Sequence, residues 1–176
     1  MDLHGYLPII VALGILGFLL GNIFALKPKA YEVRTADFRL LARQFGINPK
    51  LITRPNWLPA KPQKQNHHTA KTDFVAMYAM VRDDWRLPMV RFVRVDGVWQ
   101  GADDELATLI ENMPKTITDH AVGLQFKANS VALYWADAHY QSSQGMHQLD
   151  INTAKMDLQK LCQALNVLGD FVNARK

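Results

Sequence analysis

Cysteine is almost missing from this chain of 176 residues: Cys162 stands alone, so no internal disulfide can form, which suits a reducing compartment. Several chemistry-bearing patterns are missing as well. There is no glycine-rich phosphate loop, no nucleophile elbow, no dinucleotide fingerprint, no paired Cys-x-x-Cys and no two histidines at helical spacing. These absences remove the usual nucleotide-binding, serine-hydrolase and structural-zinc classes. No internal repeat is present. Basic residues are absent before Lys27, and from Gly5 to Leu26 there is no charge of either sign.

That uncharged stretch, "GYLPIIVALGILGFLLGNIFAL", holds 22 residues and as a helix would reach about 33 Å, against about 30 Å for a bilayer core. A secretory signal would carry a positive n-region and a shorter apolar core. The stretch therefore predicts an uncleaved transmembrane helix over 5–26, with 1–4 as a short external tail. Lys27 to Lys64 carries nine basic residues against two acidic ones, whereas only Asp2 is charged before the span. The positive-inside tendency then puts the N-terminus outside and the rest in the cytoplasm, a single-pass inner-membrane arrangement.

The whole-chain net charge of +4 is concentrated in this neck, because residues 65–176 hold eleven basic and thirteen acidic side chains. A nearly neutral folded part without a binding signature argues against nucleic acid as a partner. The bilayer is the expected one, with Lys27, Lys29, Arg34, Arg39 and Arg43 against lipid headgroups. Gly14, Gly17 and Gly21 place small residues on one side of the span, where another membrane protein or a second copy could pack.

Within the neck, 27–59, an amphipathic helix is expected from Tyr31 to Phe45. Tyr31, Phe38, Leu41, Ala42 and Phe45 share one face, Arg39, Arg43 and Glu32 lie opposite, and Gly46 supplies a stop. It either lies on the membrane surface or, as Val33 and Leu40 on the polar side favour, packs on its own domain or extends the anchor, the last disfavoured by Pro28. "INPKLITRPNWLP" reads as an extended arm. The polar stretch 60–72 is a linker, which leaves 73–176 as the globular domain.

In that domain "DFVAMYAMVR" reads as a strand, and Asp96-Gly97 between valines is a strong hairpin signal, since both turn positions need φ > 0. "ADDELATLIENMP" predicts a capped helix ending at Pro114, and "VGLQFKANSVALYW" a second hairpin turning at Asn129 and Ser130. From Asn152 or Thr153 onward, Ala154, Leu158, Leu161, Leu165, Leu168 and Val172 form one stripe of a long helix. The expected fold class is α+β: a transmembrane helix, then a small antiparallel sheet of two hairpins with helices on one face.

Candidate chemistry is sparse. Asp103, Asp104 and Glu105 are explained by helix capping. Cys162 beside the last stripe reads as a small buried hydrophobe. His67 and His68 are adjacent in the linker, and His120, His139 and His147 are scattered over loops, so neither a metal nor another cofactor is expected. Trp85, Trp99 and Trp135 are expected to pack in the domain core or at its edge; Trp85 and Arg86 in "DDWRLP", if exposed, form a candidate partner patch, with no catalytic residue assigned.

The single anchor, the basic neck "LKPKAYEVR...FRLLARQFGINP" and "VALYW" before a C-terminal helix resemble uncharacterised proteobacterial inner-membrane proteins, some labelled YajC-like translocase accessory proteins. That resemblance implies an accessory subunit of a protein translocase and carries no functional residue with it. From the residues, the leading expectation is a non-enzymatic, membrane-tethered interaction or accessory domain. The alternative is an anchored enzyme or small-ligand-binding domain whose site is built from Asp137, His139 and His147.

Overall fold

A computed structural model describes residues 3–25, 29–60, 73–142 and 148–175. The expected linker falls mostly outside these residues, as do Lys27, His67, His68 and His147.

The apolar N-terminal run does form a helix, α1 (Leu3–Ala25). The expected membrane span is nevertheless overturned: among the described residues no helix is long and apolar enough to cross a membrane. The single-pass topology and the inner-membrane localisation rested on that span and fall with it. From Ile9 to Leu20 the large apolar side chains of α1 are exposed, and a Cβ placed on Gly14, Gly17 or Gly21 would meet nothing.

The neck helix packs on the domain. In α2 (Ala30–Gln44), Phe38, Leu41 and Ala42 are buried in the main core, while Val33 and Leu40 stay exposed, as the uneven amphipathicity implied. Its first turn is closed by Glu32, whose carboxylate accepts from the Lys29 N–H at 3.0 Å. Gly46, at φ +75°, adopts the left-handed conformation that reverses the chain, and the Ile47 N–H returns to the Ala42 carbonyl.

The reversal leads straight into a strand that the prolines had hidden, β1 (Asn48–Thr53). It pairs antiparallel with β2 (Phe74–Val81), Leu51 lying opposite Ala76 and Thr53 opposite Phe74. The expected hairpins follow: β3 (Leu87–Val95) with β4 (Val98–Gln100) across Asp96-Gly97, both at positive φ, and β5 (Ala121–Ala128) with β6 (Ser130–Trp135). All six strands join in one antiparallel sheet, in the order β1-β2-β6-β5-β3-β4. Between the hairpins lie α3 (Asp104–Glu111) and a one-turn helix, α4 (Lys115–Thr118). After β6 comes a 3-10 turn, Asp137–His139.

The last helix, α5 (Ile151–Ala174), crosses the same sheet face as α2 and α3, with Leu158, Leu161, Leu165 and Leu168 buried along its stripe. Its N-terminus is capped by Asp150, and the N–H groups of Asn152 and Thr153 hold that carboxyl below the usual range, after the stronger bond from the Thr153 hydroxyl. Alternation along the strands divides the apolar residues into two clusters. Tyr78, Leu133 and Trp135 face the helices. Val75, Ala79, Ala132 and Tyr134 face the other way, covered by Trp57 and Leu58 of the arm after β1. The globular unit thus begins at α2 rather than at residue 73, because one helix and one edge strand of the neck complete its core and its sheet.

Candidate functional site

A cavity of about 300 Å³ opens where α2, the β1–β2 edge and the 3-10 turn meet. Its position follows from the strand registers. Leu51, Ala76 and Trp135 lie side by side across three strands, so their side chains share the helix-facing side and form the floor, with Phe74 next to them. One wall is α2: Tyr31, Thr35 and Arg39 recur every fourth residue and so stand above one another on one face, beside Glu32. The opposite wall is Ala136 to His139, tied down by the Ala136 N–H donating to the His120 carbonyl at 3.0 Å.

Both arginines of the cavity are held by carboxylates. Arg39 grips Asp137 with both arms, Nε to Oδ2 at 2.8 Å and Nη2 to Oδ1 at 3.1 Å, and the Tyr78 hydroxyl donates to the same Oδ2 at 3.1 Å. Burial depresses the Arg39 guanidinium, but the hydrogen bonds and charge of Asp137 more than compensate, leaving it above its ordinary value. Tyr78 is pushed far up by burial and then by the Asp137 carboxylate, so it remains a phenol. Arg54 at the open end is likewise engaged: Nε bonds Asp73 Oδ2 at 2.5 Å and Nη1 donates to the Pro59 carbonyl at 3.1 Å. A carboxylate fixed by a bidentate guanidinium and a phenol is a structural node.

His139 lines the cavity and stacks on His120, ring centroids 5.3 Å apart and 27° from parallel. Burial, then the His139 imidazole, holds His120 below the usual histidine value, with Arg94 adding to the effect and Asp119 opposing it. Of the loop trio expected from the sequence, Asp137 and His139 therefore share a wall, and His147 lies outside the described residues. Among those residues no group of three or more His, Cys, Asp or Glu is placed to hold a metal. Trp135, under the floor, has an indole N–H without a nitrogen or oxygen acceptor among the described residues; the rings of Tyr78, Phe38 and Tyr140 surround it at 5.3, 5.7 and 6.1 Å.

What the cavity leaves open is apolar. Tyr31, Leu51 and Phe74, which are 42%, 53% and 48% exposed, gather at its rim. Large apolar side chains on a surface are ordinarily scattered singly, whereas these three surround one concavity.

The other sequence candidates lie elsewhere. Trp85 is fully buried over Gly169, its indole N–H donating to Asp170 at 2.8 Å, so it packs in the core as expected and offers nothing to a partner. Arg86 is exposed and folds back on the carbonyls of Asp83 and Trp85. Of the expected headgroup contacts, Lys29 and Arg43 are exposed, Arg34 is buried and Arg39 is spent on Asp137. Asp103 caps α3 through the Leu106 N–H at 2.8 Å and also pairs with Arg175. Cys162 is half-buried with its thiol pushed up by burial, and it donates to the Phe45 carbonyl at 3.4 Å, joining α5 to the end of α2. Sequence reasoning missed the Arg39–Asp137–Tyr78 node because its members are far apart in the chain. The one available signal was Arg39 on the flank of the α2 apolar face.

Fold and cavity together define a small α+β unit with a concavity between a helix and a sheet edge. No family model, curated protein or solved structure matches the chain.

Proposed function

We propose that the chain is a non-catalytic interaction or accessory module that recognises another protein through the cavity between α2 and β1. One observation carries the reading: Tyr31, Leu51 and Phe74 stay exposed around a concavity whose two arginines are already paired. Burying an apolar rim against a partner contributes about 25 cal/mol per Å², whereas Asp137 is already held by Arg39 and Tyr78. The accessory role implied by the resemblance to translocase accessory proteins is a role of this kind.

The test is the double variant Leu51→Glu with Phe74→Glu. Both positions are about half exposed, so the fold should tolerate the charges, whereas a partner interface should not. In native electrophoresis of cell extracts the wild-type full chain is expected in a complex and the variant at its free size, with circular dichroism unchanged. Co-migration of the variant with the complex would refute the proposal.

A further inference from the structure

The rim of the cavity is also the free edge of the sheet: among the described residues β1 pairs with β2 alone. Its backbone phase is set by the Arg54 N–H, which donates to the Asp73 carbonyl at 2.8 Å. In an antiparallel ladder alternate residues bond the same neighbour, so Asn48, Lys50, Ile52 and Arg54 address β2. Pro49, Leu51 and Thr53 turn their backbone outward. Leu51 and Thr53 thus present N–H and C=O groups to an incoming strand, and Pro49, lacking an N–H, ends the run.

We infer that β1 accepts an extended segment of a partner protein as a seventh strand, and that this segment alternates apolar with acidic residues. The inference rests on the binding-module reading above and names the form of its ligand. Side-chain directions dictate the pattern. A residue opposite Leu51 or Thr53 points to the cavity side, where Leu51, Phe74 and Tyr31 are apolar and Glu32 disfavours a second anion. Its neighbours point to the other face, beside Lys50, which is exposed and has no ion pair among the described residues. An acidic residue there completes a cross-strand pair. A second copy fits less well: antiparallel pairing of β1 with itself around Leu51 would put two Lys50 side chains on one face, and each strand would withhold the Pro49 donor.

The experiment pans phage-displayed random linear 12-residue peptides on the immobilised full chain, then measures synthetic versions of the enriched peptides by fluorescence polarisation. Enrichment of alternating apolar and acidic residues is expected. N-methylation of the peptide at one set of alternate residues should weaken binding about tenfold or more, through lost hydrogen bonds and a steric block, with the intervening set nearly neutral. Lys50→Glu should weaken the acidic peptides about two- to five-fold, and replacing the peptide's acidic residue by Lys should restore affinity to that variant. No enrichment, or binders indifferent to N-methylation at every position, would overturn strand addition. In the latter case, sensitivity of those binders to Phe74→Glu keeps the cavity as a recognition face, and insensitivity removes that reading as well.

Discussion

Asp137 separates a structural role from a chemical one most sharply. It is 5% exposed, and both oxygens are occupied by Arg39 and the buried Tyr78 hydroxyl. In Asp137→Ala the Tyr78 hydroxyl loses its acceptor in the core, which costs about 1–3 kcal/mol. Arg39, at 28% exposure, can turn partly to water, so the 3–5 kcal/mol typical of breaking a fully buried pair is an upper bound for the whole change of about 2–4 kcal/mol. Asp137→Asn keeps an oxygen for Tyr78 and should cost about half as much, roughly 1–2 kcal/mol. Urea unfolding followed by tryptophan fluorescence is the assay, because Trp135 lies 5.3 Å from the Tyr78 ring and reports on this cluster. In a double-mutant cycle with Arg39→Gln, the coupling should exceed about 1 kcal/mol. A loss under about 0.5 kcal/mol for Asp137→Ala would refute the node and reopen Asp137 as a group held for chemistry.

Other outcomes follow from the packing. Gly169→Ala should destabilise by about 1–3 kcal/mol, since its new methyl would penetrate the buried Trp85 indole; a melting temperature equal to wild type would contradict that contact. A 73–176 fragment should show no cooperative unfolding transition, because without α2 and β1 it exposes Tyr78 and Trp135, whereas 29–176 should unfold cooperatively. The depressed His120 means the unfolded chain binds a proton that the folded chain resists, so stability should fall as pH drops from about 6.5 through the folded value and then level off. His139→Gln should shrink that fall, as seen in melting temperatures between pH 5 and 7.5; an unchanged pH profile would contradict the stacking.

Local chemistry made much of the sheet legible in advance. Asp96-Gly97 specifies its turn by backbone conformation, and the six stripe residues of α5 can face only one way, so those elements were readable residue by residue. β1 was not, because an edge strand is paired on one side only. Its Pro49 and Lys50 are edge-protecting residues that break the apolar alternation from which strands are read. The neck was set apart because the polar stretch 60–72 reads as a linker and the basic residues before it as facing lipid headgroups, yet Arg39 and Arg54 are held by Asp137 and Asp73 from the domain itself. The cavity was half legible. Asp137 and His139 were candidates, but their partners come from α2 and β2, and no spacing rule links Arg39 to a residue 98 positions away.

The central claim is that partners are recognised at the α2–β1 cavity, and site-specific photo-crosslinking in growing cells tests it directly. A photoreactive residue at Leu51 or Phe74 should capture one and the same protein, whereas the equally exposed Met156 on α5 should capture none. Capture from Met156 alone, or equally from all three positions, would contradict the claim.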